Sequence, residues 1–219
     1  MRKGIGLVVT LAAAMCLSSR ASADTVYSNL GSGTTVYNSG TGWSVSTVAS
    51  TGFLLQPAFS FTPSGTFNFT ELDIALGFIN GTNSVTVDLM SDSGGSPGSV
   101  LDSWNVSGLP AFGSCCTLQA LLANNTTTLA SGTPFWVAVL PGAADTYAVW
   151  NLDSTGALGD VFEDQGSGFA LFGADATVGA FQVLGDPSTA VPEPRSGMLA
   201  VIAAGMLAMF TRRTLHRKS

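Results

Sequence analysis

Leu72, Ile74, Leu76 and Phe78 alternate with Glu71, Asp73, Ala75 and Gly77. A period of two is the signature of a half-buried β-strand. Asn80-Gly81 follows as a turn signal, and Val85, Val87 and Leu89 then alternate with Thr86, Asp88 and Met90. The two runs read as a β-hairpin. Asp92 to Gly98 is a loop by composition, and Val100 to Val106 is another strand. Phe53 to Phe61, Phe135 to Leu140, Tyr147 to Asn151, Phe169 to Phe172 and Phe181 to Leu184 are further strands, aromatic or β-branched and bounded by turn formers. Phe135 to Leu140 is apolar on both faces and reads as a central strand. Leu118 to Ala123 is the one place for a helical turn. Many short strands with Gly-rich turns and no internal repeat predict an all-β chain, a single β-sandwich with jelly-roll-like connections.

Charge narrows the chemistry. Arg2, Lys3, Arg20, Arg195, Arg212, Arg213, Arg217, Lys218 and the single histidine, His216, all lie outside residues 24–194. All fourteen acids lie inside that span, so with no base there its formal charge is −14, against −6 for the whole chain. A domain without Lys or Arg cannot neutralise phosphates, which excludes nucleic acid as a partner. Without His, the Ser-His-Asp and Cys-His mechanisms have no general base and imidazole metal sites are absent. The carboxylates must stay solvated or hold a cation such as Ca²⁺.

The two ends read as targeting segments. Arg2 and Lys3 precede an apolar core from Ile5 to Leu17, and Ala21-Ser22-Ala23 is a small-residue cleavage site that makes Asp24 the mature N-terminus. Residues 1–23 are therefore a signal peptide, handled by the Sec machinery and signal peptidase. Cys16 follows Met15, where a lipobox wants a small residue, so a lipoprotein is excluded. At the other end, a linker over 187–195 leads into an apolar helix over 196–211 and a basic tail over 212–219. An apolar helix followed by cations spans a membrane with its C-terminus in the cytoplasm. At 1.5 Å per residue it covers about 24 Å against a hydrocarbon core of about 30 Å, which suits a temporary anchor.

Val191-Pro192-Glu193-Pro194, the apolar stretch and the cluster beginning Arg212-Arg213 resemble the PEP-CTERM sorting signal of Gram-negative bacteria. The resemblance covers about the last thirty residues. It implies an exosortase as partner, a membrane protease-transferase that removes the tail and passes the protein from the inner membrane to the cell surface or extracellular matrix.

Cys115 and Cys116 are the only cysteines left after processing. Adjacent cysteines in an exported chain form a vicinal disulfide, remain thiols or link to another chain. The oxidising compartment favours the vicinal disulfide, and its structural reading is a pin for the Phe112-Gly113-Ser114 loop. That double-cysteine loop, together with Phe61-Thr62-Pro63, Asn80 to Val85, Ser91 to Gly95 with Pro97-Gly98, and Trp136 and Trp150, resembles the choice-of-anchor domains, nearest to the type named choice-of-anchor R. The resemblance covers most of 24–186 and implies a secreted β module with no catalytic residue to carry over.

The residues offer three kinds of site. A glycosidase needs two carboxylates across a cleft, and Glu71 and Asp73 share a strand face, as solvated acids also would. Calcium would suit acids in or beside loops: Asp88, Asp92 and the densest cluster, Asp160, Glu163 and Asp164, none with EF-hand spacing. Trp104 and Trp136 lie in apolar runs and read as core, whereas Trp43 and Trp150 are the surface candidates for stacking on a sugar ring. The sequence thus predicts an exported, non-catalytic surface or matrix protein that requires no cofactor. A carbohydrate-binding module with polysaccharide as partner, calcium-assisted, is the alternative, and a carboxylate-only glycoside hydrolase the weaker one.

Overall fold

A computed structural model describes residues 23–188; the segments expected to be a signal peptide (up to residue 22), a sorting motif and a C-terminal apolar helix lie outside them. The described chain is an all-β sandwich. A five-stranded sheet is ordered β1 (Asp24–Ser28), β14 (Phe181–Pro187), β4 (Phe67–Ile74) and β8 (Gln119–Leu122), with β9 (Thr128–Leu129) also on β4. A six-stranded sheet is ordered β13 (Phe169–Thr177), β12 (Leu158–Asp164), β3 (Pro57–Phe61), β10 (Phe135–Pro141), β6 (Ser84–Asp92) and β7 (Pro97–Ser107). A three-stranded sheet, β2 (Asn38–Ser46), β11 (Tyr147–Leu152) and β5 (Leu76–Asn80), completes the shell. The paired strands all run antiparallel.

One core joins the sheets. Phe59 of β3, Leu72 and Ile74 of β4, Val87 and Leu89 of β6, Trp150 of β11 and Phe181 of β14 are all fully buried in it. Burying each such side chain contributes about 1.5–3 kcal/mol before conformational entropy is subtracted. Trp150 is the hub: its ring meets Phe59 edge-on at 5.1 Å and Phe181 at 5.7 Å. Its other face is covered by Gly179, where a Cβ would collide with the indole ring. A smaller layer on the far side of the six-stranded sheet packs Trp136 against Phe162 at 4.8 Å, with Met90 and Ala138 beside them.

The expected hairpin between 72–78 and 85–89 is not formed. The alternating run breaks at Ala75 into β4 and β5, which belong to different sheets. Ala75 is the corner: its N–H donates to Ala180 O at 3.1 Å, while its C=O accepts from Asn151 N–H at 2.9 Å. Beyond Asn80-Gly81, β6 pairs with β10 and β7. Gly81 is in the left-handed region, with φ 79°, and its position lies tight against the Asp145 carbonyl, so a side chain there is excluded twice over. β6 instead forms a hairpin with β7, closed over Ser93 to Ser96 where the composition marks a loop.

Two further expectations are corrected. Leu118 to Ala123 is strand β8 rather than a helical turn, because β4 offers it an open edge and only alternation buries Leu121 while exposing Leu122. The helix is instead α1 (Val48–Thr51), a single turn held by a capping box between Thr47 and Ser50; Phe53, expected in a strand, follows it exposed. Strand β10 lies inside its sheet and is buried on both faces along Phe135 to Val139, as its composition predicts. Asp24, the expected mature N-terminus, is the first residue of β1, and β14 ends at Pro187, one residue past the expected boundary.

Candidate functional site

In a domain without cations the carboxylates need other partners, and several find backbone N–H groups. Asp102, 2 % exposed, accepts from Asn124 N–H at 2.8 Å, Asn125 N–H at 3.3 Å and Ser103 N–H at 2.9 Å, and from the Asn125 side-chain amide at 3.1 Å. Asp153 Oδ1 collects the N–H groups of Thr155, Gly156 and Ala157 and the Thr155 hydroxyl within 3.0 Å. Asp164 Oδ1 takes Gly166 N–H at 2.7 Å and Gly168 N–H at 3.0 Å. Asp92 accepts from the Trp136 indole at 2.9 Å and from Gly95 N–H at 3.0 Å, and these bonds lower its pKa. Each bond gives a carboxylate oxygen a donor where the domain offers no cation.

The Asp164 turn shapes the first cleft. It closes the β12–β13 hairpin and leaves Glu163 at the base of a hollow of about 220 Å³, with Gln165, Ser167, Ala170 and Phe172 around it. Glu163 is 5 % exposed and accepts from Gln165 Nε2 at 3.0 Å. Burial raises its pKa, and the Gln165 bond offsets part of that rise. Phe172 is 56 % exposed, and its ring meets Trp43 edge-on at 6.3 Å. The hollow therefore offers one carboxyl, one amide, one hydroxyl and an aromatic surface. That set recognises a hydroxylated ring by hydrogen bonds and stacking, and it holds a single carboxylate where glycoside hydrolysis needs two.

The second cleft, about 690 Å³ and wide open, separates the edge strands β7 and β8. Trp104, Val106 and Leu121 are buried along it, while Ser103, Asn105 and Asn124 line its polar side. It contains no charged side chain. Trp104 Nε1 donates to Leu122 O at 2.7 Å and holds the two edges together at one end.

The third feature is the double-cysteine loop. Cys115 and Cys116 form a vicinal disulfide across a cis peptide, and both sulfurs lie against the Thr34 carbonyl. Tyr37, 3 % exposed, reaches under the loop and its hydroxyl lies 3.1 Å from Ser114 O and 3.4 Å from Thr117 O. Phe112 N–H donates to Phe78 O at 2.8 Å. The loop is thus pinned by Tyr37 and by the edge of β5 as well as by its own sulfurs.

The expected site residues separate. Trp150 is fully buried, which overturns it as a sugar contact: it stands opposite Trp43 in the β2–β11 register, on the core side. Trp43 is half-buried, donates to Thr177 O at 2.8 Å and packs on Phe59. Trp104 and Trp136 are buried, as their apolar surroundings predict. Asp88 is not a loop acid but a strand residue, 8 % exposed, that accepts from Ser103 Oγ at 2.6 Å.

Asp160, Glu163 and Asp164 belong to strand β12, with Asp164 at its end beside the turn as expected, and alternation and bulging send the three different ways. Among the described residues no three of His, Cys, Asp and Glu gather as a metal-holding group. Glu71 and Asp73 do lie side by side, with Gln182 Nε2 donating to Asp73 Oδ2 at 3.3 Å. Burial raises both pKa values, and the Asp73 charge adds to the rise at Glu71. They share one strand, so they do not face each other across a cleft.

Ala21, Val191, Pro192, Glu193, Pro194, Arg212 and Arg213 lie outside the described residues. Among those described, no helix is long and apolar enough to cross a membrane. Phe172 and Gln165 are the site residues that sequence reasoning passes over: Phe172 reads there only as strand, though the Gly166-Ser167-Gly168 turn beside it marks a hairpin tip. The chain matches no protein-family model, no curated protein and no solved structure.

Proposed function

We propose that the chain is an exported surface protein, sorted by an exosortase-type protease-transferase, whose β domain acts by binding rather than by catalysis. The observation that carries this reading is the use of the carboxylates. Asp102, Asp153, Asp164 and Asp92 are acceptors that hold loops, so the acids serve the architecture of a cation-free domain. The tripartite C-terminus supplies the sorting route and the signal peptide the export route. Following the tagged protein in cells with and without the sorting protease tests it. The tail-bearing precursor is expected to collect in the inner membrane without the protease, and identical processing in both strains contradicts the sorting.

A second reading, polysaccharide binding, is favoured by the Glu163 hollow with Phe172 exposed at its rim. Polar acceptors beside an aromatic face are what a neutral sugar ring requires, and calcium is not needed for that contact. Binding of the mature protein to a panel of bacterial and plant polysaccharides tests this, with Phe172→Ala and Glu163→Gln as variants. Saturable binding that both variants weaken supports it; binding that neither changes places the glycan elsewhere.

A further inference from the structure

We infer that the cleft between β7 and β8 is a docking site for an extended, cationic polypeptide strand of a partner protein. The inference starts from backbone hydrogen bonds and is independent of the glycan reading. Gly142 N–H donates to Ser84 O, so the even-numbered residues of β6 face β10 and its odd-numbered residues face β7. In the β6–β7 register Val85, Val87 and Leu89 stand opposite Val106, Trp104 and Asp102, whose backbone groups are therefore taken. Leu101, Ser103, Asn105 and Ser107 turn theirs outward. Two of these outward carbonyls prove the direction: Ser103 O accepts from Asn124 Nδ2 at 3.1 Å, and Leu101 O from Asn125 Nδ2 at 3.4 Å.

Past these caps the edge is bare. No hydrogen bond among the described residues reaches the backbone of Asn105 or Ser107 from the cleft side. Across the cleft, Ala123 N–H faces β4 by donating to Thr70 O, and Leu122 O faces the cleft by accepting from Trp104. Alternation then turns both backbone groups of Ala120 into the cleft as well. The two strands, tied at the Trp104–Leu122 end, thus turn free donors and acceptors into the cleft: those of Asn105 and Ser107 on β7, two residues or about 6.7 Å apart, and those of Ala120 on β8. An added strand matches the β7 repeat and meets Ala120 across the cleft.

Other edges of the sandwich are broken or covered. β1 and β2 carry register shifts, β13 pairs across two bulges, and β5 is overlaid by Pro110 to Phe112, whereas the two shifts of β7 lie opposite Leu89 to Asp92, outside Ser103 to Ser107. Proteins commonly guard a long edge with lysine, and this domain has none. The occupant follows from charge. The cleft is uncharged inside a domain of fourteen acids and no base between residues 24 and 194, so a strand bearing Lys or Arg at its ends is attracted and a second acidic copy is repelled. Inward-facing side chains of that strand meet Val106 and Leu121 and are apolar.

The test is amide hydrogen exchange, read by NMR on the mature protein, with the capped peptide Lys-Thr-Val-Thr-Val-Thr-Lys as probe. At one hundred times its dissociation constant the peptide slows exchange at Asn105, Ser107 and Ala120 about 100-fold. The same peptide N-methylated at alternate residues gives no protection. Ser107→Pro removes one cleft-facing donor without touching the β6 ladder, so it weakens the peptide about tenfold at an unchanged melting temperature. Absence of protection, or equal protection by the N-methylated peptide, overturns the inference. So does protection by a second copy at dimer-forming concentrations without peptide, or by a neutral oligosaccharide in the peptide's place.

Discussion

The indole N–H of Trp104 donates to the carbonyl oxygen of Leu122 at 2.7 Å, tying the edge of the six-stranded sheet to the edge of the five-stranded sheet. Trp104 is 9 % exposed and packs on Phe69 edge-on at 5.8 Å. Trp104→Phe keeps most of that packing and removes the bond. It is expected to cost about 1 kcal/mol in urea denaturation and to speed amide exchange along β8. A loss confined to global stability, with β8 exchange unchanged, would show that the bond does not hold the edges.

Asp102 anchors the segment that caps β7. Its carboxylate receives four hydrogen bonds, from Ser103, Asn124 and Asn125, and is almost wholly buried. Asp102→Ala removes four part-buried hydrogen bonds whose donors lie near solvent, and it is expected to cost about 1–2 kcal/mol. Asp24→Ala, at an exposed strand start, is the control and is expected to fall within about 0.5 kcal/mol of the parent.

Stability should rise as pH falls from 7 toward 5. Burial is the largest cause of the raised pKa values of Glu71, Asp73, Asp88 and Glu163. An acid whose pKa is raised on folding binds its proton more tightly in the native state. Its contribution is therefore fully present below the unfolded pKa and is lost as pH rises through the folded pKa. The opposite shifts at Asp92 and Asp145 act below the ordinary Asp range of about 3.8, outside this window. Glu71→Gln should flatten the profile above the ordinary Glu range, because it removes an acid whose pKa is raised by burial and by the Asp73 charge. Thermal melts at stepped pH check both, and a melting temperature that falls steadily on acidification from pH 7 contradicts the assignment.

Gly179 lies flat against the Trp150 indole, and a Cβ has no room there. Gly179→Ala is expected to cost about 1–3 kcal/mol by overpacking the hub of the core. Near-ultraviolet circular dichroism should change with it, because Trp150 contacts both Phe59 and Phe181.

How far the sequence reveals this arrangement depends on whether the deciding contact is local. β10 was legible because a run apolar on both faces has one home, the middle of a sheet. The break at Ala75 was not, since Leu72, Ile74 and Leu76 keep one alternation straight through it. What turns the corner is a pair of distant backbone partners, Ala180 and Asn151. Trp150 looks accessible beside Asn151, yet that neighbour is itself buried, with its side-chain amide 3.4 Å from Ala75 O. The Glu163 hollow was half legible. Its acid stood out in a cluster, but its aromatic, Phe172, gains meaning only from the hairpin that lays it beside Trp43. The free edge of β7 was not legible at all, because an unpaired backbone leaves no mark in the side-chain pattern.

The central claim is that the chain is exported, trimmed at both ends and delivered to the surface as a binding domain. Intact mass spectrometry of the protein recovered from the cell surface tests it most directly. The account predicts a species that begins at Asp24 and lacks the apolar helix over 196–211 and the basic tail over 212–219. A surface species that retains that tail, or a protein found only inside the cell with Met1 to Ala23 still attached, would contradict it.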